Sequence, residues 1–334
     1  MTKGHFVRLS SALALLFATQ QPATATAAAS LPVGHCINTG NMLDSDDWGG
    51  KKLDASDFRT IREAGFDTVR IPANWANHAS ATAPYTIDPV WMTRVTSMVD
   101  AGLDNGLNVI IDSHYFPDLY ADPAANTERL AALWKQIGAK LANRPKARVW
   151  FEIVNEPHDG LNAANLWATI GPALAAIRAT NPDRPVIVGS GDYSTVNSLA
   201  TLNLSNDRNV WPTFHYFDPM DFTHQGATWI SPVPPLGRVY GTTWDKAEVA
   251  ADVQKVKAFI ARTGKVPFIG ETGAYTTVPL SQRVAYHSAV HKAFAAVGVA
   301  QCEWAYTNTF QFYDHQTKKW LNGLLPAIGV NAQR

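Results

Sequence analysis

The chain has few cysteines and no surplus charge. Only Cys36 and Cys302 occur among its 334 residues, and 28 basic residues balance 28 acidic ones. A chain with this balance is not basic enough to suggest binding to nucleic acid, and we predict none. No Gly-x-Ser-x-Gly is present, so the usual signature of a serine hydrolase is missing. The remaining composition, 46% hydrophobic and 17% charged, is that of an ordinary globular protein long enough for one large domain.

A long apolar segment is also missing. The run from Leu9 to Ala18 is too short to span a bilayer. It follows a short basic start and precedes a Thr/Ala-rich stretch with Ala-x-Ala sites, an order typical of a secretory signal peptide. A membrane anchor or a disordered leader is the alternative. We predict a leader over residues 1–29, one domain over residues 30–334, no membrane association after cleavage, and a monomer that is secreted or periplasmic.

Short apolar runs alternate with amphipathic helical patterns from about residue 35 to residue 330. The predicted strands are Cys36–Asn38, Thr68–Ile71, Val109–Ser113, Val149–Val154, Val186–Gly189, Thr213–Tyr216, Phe268–Gly270 and Ala300–Trp304. The predicted helices are Ser56–Ala64, Pro89–Gly106, Thr127–Ala142, Asn165–Thr180, Lys246–Arg262 and Leu280–Val297. This alternation predicts an α/β fold, a single-domain (β/α)8 TIM barrel. An open doubly wound sheet is the alternative, but no glycine-rich dinucleotide fingerprint follows the first strand.

The two cysteines lie in the first and last predicted strands. If the barrel closes, these strands are neighbours, and a disulfide between Cys36 and Cys302 can form. Two free, buried cysteines are equally compatible with the sequence, because strand geometry often keeps neighbouring sulfurs apart.

Two carboxylates follow predicted strands on the face where barrel active sites are built. Glu156 comes after strand four and Glu271 ends strand seven, on roughly opposite sides of the barrel. Hydrolysis of a glycosidic bond needs one carboxyl to protonate the leaving oxygen and a second to attack or to activate water. We predict Glu156 as the acid/base and Glu271 as the nucleophile, with Arg70 keeping Glu271 ionised and Glu156 lacking such a partner. Asn155 would bind the sugar 2-hydroxyl.

Other strand ends carry His114, His215 and Trp304. The two histidines favour a role in the cleft, although a histidine at a strand end is often a hydrogen-bonded packing residue. Trp304 could likewise be barrel packing. No third ligand accompanies the histidines with zinc spacing, so we predict neither a metal site nor a cofactor.

At these residues the chain resembles glycoside hydrolase family 5, the cellulase and mannanase family of retaining (β/α)8 enzymes. The resemblance covers about residues 34–328. Asn155-Glu156-Pro157 and Gly270-Glu271 are similar to the two catalytic signatures of that family. The positions that match its cleft residues are Arg70, His114, His215 and Trp304.

A narrower likeness lies in the stretch from Phe217 to Thr243, which shows no clear secondary-structure pattern. Its run Phe222-Thr223-His224-Gln225-Gly226-Ala227, followed by Trp229, resembles a branch with bacterial endoglucanases, some of which also cleave mannan. His224 and Trp229 are therefore candidate substrate contacts, with a structural role as the alternative. Asn41 and Asp44 are candidates for the glycone side of the cleft.

Three positions depart from that branch. Ser113-His114 stands where a histidine pair is common, and Asp44 stands where a longer Glu follows the first strand. Phe217 replaces a Tyr whose hydroxyl holds the nucleophile. Tyr216 lies beside it and is a candidate substrate contact, but adjacent strand residues point to opposite faces unless the backbone bends.

The resemblance implies an endo-acting β-1,4-glucanase whose partner is a β-glucan or a related polysaccharide. Activity as a β-mannanase or another β-glucanase of the family is the first alternative. A carbohydrate-binding relative that has lost turnover is the second, and Phe217 and Ser113 are the residues that favour it. The retained pair of glutamates, with Arg70 and Asn155, argues for the enzyme.

Overall fold

The structure is a computed structural model that describes residues 1, 2, 4, 28–45 and 50–331. The predicted leader over residues 1–29 therefore lies outside the described residues at all but five positions. In the part of the chain that is described, no helix combines the length and the apolar character that crossing a membrane requires.

Eight parallel strands form a closed barrel in chain order. They are β1 (His35–Asn38), β2 (Thr68–Ile71), β3 (Asn108–Asp112), β4 (Val149–Glu152), β5 (Val186–Val188), β6 (Val210–Tyr216), β7 (Phe268–Thr272) and β8 (Gln301–Glu303). β1 pairs with β8, so the sheet has no free edge. The predicted (β/α)8 barrel is confirmed, and the open doubly wound sheet is excluded.

Helices surround the barrel. They are α1 (Ala55–Ala64), α2 (Pro89–Asp104), α3 (Pro117–Ala121), α4 (Pro123–Leu141), α5 (Leu166–Thr180), α6 (Met220–Thr223), α7 (Thr243–Thr263), α8 (Leu280–Ala295) and α9 (Leu324–Ala327). Each of the six predicted helices has a counterpart, whereas three short helices, α3, α6 and α9, were not predicted. Capping boxes begin α1 at Asp54 and α7 at Thr242, which satisfies backbone N–H groups that have no partner within the helix. The segment 217–243, predicted without regular structure, contains the short helix α6. Short 3₁₀ helices span Val196–Ala200 and Asn308–Phe310, and two short strands, β9 (Tyr313–Asp314) and β10 (Lys319–Trp320), pair antiparallel.

Side chains on one face of each strand fill the barrel, and those on the other face pack against the helices. A compact cluster at the amino end of the barrel contains Leu31, Val33, Cys36, Ile110, Trp150, Ile187, Phe268 and Cys302. Two residues further along their strands, on the same face, come Asn38, Asp112 and Glu152, and all three are buried. The barrel therefore has an apolar floor beneath a polar layer, which supports the site.

Cys36 and Cys302 form a disulfide across the seam where β1 meets β8. The two residues are direct register partners, and 266 residues separate them in the sequence. The sequence was compatible with either a disulfide or two free cysteines, and the structure has the disulfide.

Candidate active site

A single buried arginine organises the polar layer. Arg70, in β2, donates two hydrogen bonds of 2.8 Å to Glu152 and one of 2.7 Å to Oε1 of Glu271. Its Nη2 lies 2.7 Å from a carboxylate oxygen of Asp112 and donates to Oδ1 of Asn155 at 2.8 Å. Burial disfavours the charge of Arg70, but the carboxylates outweigh that effect and raise the pKa of its guanidinium well above the usual value. The predicted contact between Arg70 and Glu271 is confirmed.

The two predicted catalytic glutamates lie side by side. Nδ1 of His215 is 2.7 Å from Oε1 of Glu156 and 3.7 Å from Oε2 of Glu271. One carboxylate oxygen of each glutamate and one ring nitrogen of His215 all lie within 4.8 Å of one another. Glu156 has no arginine partner like that of Glu271 among the described residues, but His215, which the sequence did not link to it, hydrogen-bonds to it. The sequence could not show this, because β4 and β6 are distant in the chain.

Burial raises the pKa of both glutamates. The charges of His114 and Arg70 lower the pKa of Glu156 and so oppose the effect of burial, although neither residue hydrogen-bonds to its carboxyl group. For Glu271, His215 and the bonded guanidinium of Arg70 oppose it. Burial also lowers the pKa of His215 to about 4, so the ring is neutral at neutral pH. In one neutral tautomer Nδ1 donates to a Glu156 carboxylate, and in the other it accepts from the protonated carboxyl.

A second cation lies beside this pair. Nδ1 of His114 is 2.9 Å from a carboxylate oxygen of Asp112, and its Nε2 is 4.0 Å from Asp44. Burial disfavours the charged ring, but Asp112 and Asp44 outweigh it and raise the pKa of His114 to about 9. The ring of Trp304 stacks against His114, with centroids 5.5 Å apart and planes 7° from parallel. His114 therefore carries a positive charge at neutral pH.

The cleft has two lobes that share Glu156, His114 and Trp304. The Asn155 lobe, a cavity of about 440 Å³, also contains Asn41, Asp44, Tyr115, Tyr120, His158 and Asp159. The Trp229 lobe, about 600 Å³, also contains Tyr193, His215, Phe217, Met220, His224, Trp229, Glu271 and Phe310. Eleven of the twelve predicted site residues line a lobe or, like Arg70, bond to residues that do.

The exception is Tyr216, and the prediction that it contacts substrate is wrong. Its side chain is fully buried, and its hydroxyl donates to Asp252 of α7 at 3.0 Å. Because side chains alternate along a strand, Tyr216 faces the helices while His215 faces the cleft. Phe217 lines the Trp229 lobe in its place, with its ring 5.3 Å from that of His224.

Sequence reasoning missed several residues of the cleft. Asp112 carried a usable signal, because it follows the inward-facing Ile110 by two positions in the same strand. Tyr193 and Phe310 carried none, since they lie in irregular segments with no motif. The cluster of Glu156, His215 and Glu271 has donor atoms close enough to hold a metal ion. An acid and a nucleophile that act on one bond must also lie this close together, so the short distances do not require a metal ion. The absence of a metal site stays a prediction.

Comparisons with known proteins agree on one family. A family model described as cellulase (glycosyl hydrolase family 5) matches residues 26–310. Endoglucanase H of Acetivibrio thermocellus is 30% identical over 89% of this chain, which spans only 33% of that relative's length. A solved hyperthermophilic endo-β-1,4-glucanase with substrate is 34% identical, covers 89% of this chain and 97% of its own, and superposes with a TM-score of 0.86. Thermotoga maritima Cel5A with mannotriose is 32% identical over the same shares, with a TM-score of 0.85.

Proposed function

The chain belongs to glycosyl hydrolase family 5, the cellulase family, and we propose that it hydrolyses internal β-1,4 linkages of a glucan with retention of configuration. The observation that carries this proposal is the spacing of Glu156 and Glu271, whose nearest ligand oxygens lie within 4.8 Å. Carboxyl groups about 5–5.5 Å apart are typical of double displacement, whereas inverting enzymes keep them about 6.5–9.5 Å apart to admit a water molecule.

Glu271 is the proposed nucleophile. The guanidinium of Arg70 donates to Oε1 of Glu271 and opposes the rise in the pKa of Glu271 that burial causes, which favours the charged form that a nucleophile needs. Oε2, which faces His215 at 3.7 Å, is the oxygen left to attack the anomeric carbon. The attack forms a glycosyl ester and breaks the bond to the leaving oxygen.

Glu156 is the proposed acid/base. Burial raises the pKa of Glu156, and no guanidinium among the described residues bonds to it, which favours the protonated form that an acid needs. It gives that proton to the leaving oxygen in the first step. Once Glu271 is esterified its charge is gone, so the pKa of Glu156 falls and the carboxylate can deprotonate the incoming water.

The proposed glycone site is the Asn155 lobe. Oδ1 of Asn155 accepts from Arg70, which leaves the Nδ2 group to donate to the sugar 2-hydroxyl. The indole of Trp304 offers a flat apolar platform for the pyranose, and the charged His114 stacks behind it. Asn41 and Asp44 are proposed contacts further along the same lobe.

Two lobes that meet at Glu156 let a polymer extend in both directions, which supports endo action. A β-1,4-glucan is the first candidate, since the relatives include an endoglucanase. Mannan is the second, because a solved neighbour is described in complex with mannotriose.

We also propose export to the periplasm or medium. The disulfide supports this, since disulfides persist in oxidising compartments; intact mass of the exported protein should show loss of residues 1–29.

The first experiment measures reducing-end release from carboxymethylcellulose, barley β-glucan, xyloglucan, glucomannan, xylan and laminarin. Glu271→Ala and Glu156→Ala should each lose several orders of magnitude of activity on the preferred polymer. Glu63→Ala, which alters an exposed glutamate of α1, is the matched control and should retain wild-type rates. Near wild-type rates in either catalytic variant would contradict the assignment.

Azide separates the two roles. With azide, Glu271→Gly should form an α-glycosyl azide by direct displacement, because the nucleophile is missing. Glu156→Ala should still react with a β-cellobiosyl fluoride, which needs no proton, and azide should then yield the β-azide. The opposite pattern would exchange the roles. If no polymer of the panel is hydrolysed although the protein still binds one of them, the non-catalytic alternative would be supported instead.

A further inference from the structure

The run from Phe222 to Ala227 places a buried threonine directly before a histidine of the cleft. Thr223 is the last residue of α6 and has no exposed surface, whereas the mostly buried His224 lines the Trp229 lobe. Thr223 does not line the lobe itself. A contact between His224 and substrate therefore leaves the threonine unexplained, and the positions of two protons show what it does.

The hydroxyl group of Thr223 has two close polar neighbours. Its Oγ1 lies 2.6 Å from the carbonyl oxygen of Phe217 and 2.9 Å from Nδ1 of His224. A carbonyl oxygen can only accept, so two oxygens 2.6 Å apart require the hydroxyl to donate to it. The carbonyl oxygen of Pro219 is 3.5 Å away and already accepts from the N–H of Phe222 at 2.9 Å. The single hydroxyl proton therefore lies between Thr223 and Phe217.

The position of the proton on His224 follows from that bond. The hydroxyl of Thr223 has no second proton to give, so Nδ1 of His224 must donate its own N–H to Oγ1. Burial lowers the pKa of His224 to about 4, so at neutral pH the ring is neutral and carries one N–H. With Nδ1 protonated, Nε2 keeps its lone pair and can only accept a hydrogen bond.

Nε2 is the polar atom that His224 can offer to the lobe. Among the described residues, none hydrogen-bonds to it. The rings of Phe217 and Phe310 stand edge-on to the imidazole, each with its centroid 5.3 Å away, and supply only apolar surface. A ligand in the lobe therefore meets a hydrogen-bond acceptor with apolar neighbours. A hydroxyl group can donate to this nitrogen, whereas an ether oxygen cannot.

We propose that Thr223 is a positioning residue that fixes His224 as a hydrogen-bond acceptor for a free sugar hydroxyl in the Trp229 lobe. This inference rests on the proposed function, which supplies the sugar. It gives the threonine of the Phe222–Ala227 run a role, because the arrangement needs a hydroxyl group at position 223.

The nitrogen-15 NMR spectrum of the histidine rings tests the tautomer. In wild type labelled with [15N]histidine at pH 7, Nδ1 of His224 should carry the proton and Nε2 should not. Thr223→Val keeps the shape of the side chain but removes the hydroxyl, so the proton should move to Nε2, where water in the cleft can accept it. Thr223→Ser should keep the wild-type pattern, and His224→Gln identifies the signals by their loss. A wild-type ring protonated at Nε2 would overturn the inference, whether or not the protein is an enzyme.

Kinetics on two substrates test whether a sugar uses this acceptor. With the glycone in the Asn155 lobe, cellotetraose extends into the Trp229 lobe, whereas β-cellobiosyl fluoride places no sugar there. In Thr223→Val the sugar hydroxyl must accept from Nε2, which leaves its own proton facing apolar rings. The variant should therefore lower kcat/KM for cellotetraose about fivefold, the equivalent of one neutral hydrogen bond. The value for the fluoride should change less than twofold, and Thr223→Ser should match wild type on both substrates.

Thr277→Val is the matched control. The hydroxyl of Thr277 also donates to a backbone carbonyl of this loop, that of Gln225, but lies outside both lobes. Its loss should change neither the tautomer of His224 nor the two kcat/KM values. Equal losses on both substrates in Thr223→Val, or no loss on either, would overturn the role of Thr223. A wild type with the expected tautomer that hydrolyses neither substrate would overturn the proposed function, and with it the sugar as the ligand.

Discussion

At the scale of single residues, the site is a balance of buried charges. Arg70 contacts Asp112, Glu152 and Glu271, and His114 shares Asp112 with it. Two cations therefore neutralise a group of carboxylates that could not otherwise remain ionised without water. Removing one member should affect both the stability of the fold and the proton affinity of the glutamates.

His114 gives the clearest pH prediction. Its pKa is about 9 in the folded protein and near 6.5 in the unfolded chain. The stabilisation is fully present below pH 6.5 and is lost as the pH rises through 9, because only the protonated ring pairs with Asp112. The free energy of unfolding should be lower for His114→Gln than for wild type, and the difference should be largest below pH 6.5. Above pH 9 this difference should be smaller by about 3 kcal/mol. Urea denaturation across pH 6 to 10 measures it.

His224→Gln is the control for that series. Burial lowers the pKa of His224 to about 4, so the ring stays neutral across the same range. Its effect on stability should therefore be constant between pH 6 and 10. A constant gap for His114→Gln as well would show that His114 is neutral in the folded protein.

At the scale of elements, the segments after β1, β3, β4, β5, β6 and β8, together with β7, build the cleft at one end of the barrel. The segment from Phe217 to Thr243 is tied internally by Gln225, whose side-chain oxygen accepts from the backbone N–H groups of Gly237 and Arg238. Its tip carries Trp229, which is 47% exposed and packs edge-on against Tyr275. A loop anchored in this way can present one aromatic ring in a fixed direction.

We expect Trp229→Ala to raise KM for the polymer about tenfold while kcat on β-cellobiosyl fluoride stays unchanged. The reason is that Trp229 lines the cleft but has no part in the proposed bond cleavage. Trp244→Ala is the matched control: that indole is 56% exposed, lies outside both lobes and contacts Arg238. Initial rates over a range of polymer concentrations give both parameters. An unchanged KM in Trp229→Ala would mean that the loop is structural.

At the scale of the whole molecule, the barrel is closed by covalent as well as hydrogen bonds. The disulfide joins β1 to β8 and encloses nearly the whole domain in one loop, because its cysteines are 266 positions apart in the sequence. A cross-link that closes so long a loop restricts the unfolded chain strongly.

Reduction should therefore lower the free energy of unfolding by about 2–4 kcal/mol. Activity at 25 °C should persist, because neither sulfur lies in the cleft. Denaturation curves with and without dithiothreitol measure the effect. The Cys36→Ala/Cys302→Ala double variant should match reduced wild type and should not respond to the reductant. A wild-type curve that does not shift would indicate that the barrel closes equally well without the bond.

The sequence alone predicted the eight barrel strands, the six longer helices and most residues of the candidate site. Strands and helices follow from hydrophobic periodicity, which is local, and Glu156, Glu271 and Arg70 were predicted because polar residues at strand ends share one face of a barrel. The family resemblance added His224 and Trp229. These predictions needed only neighbouring residues and the strand order.

Tertiary structure decided what depends on register and on the path of loops. The pairing of Cys36 with Cys302, the bond between His215 and Glu156, and the direction of Tyr216 all involve strands or helices far apart in the chain. Tyr193 reaches the cleft through a left-handed turn that no local pattern predicts. Such contacts form only when the barrel closes, since a shift of one residue in register turns every side chain of a strand to the opposite face.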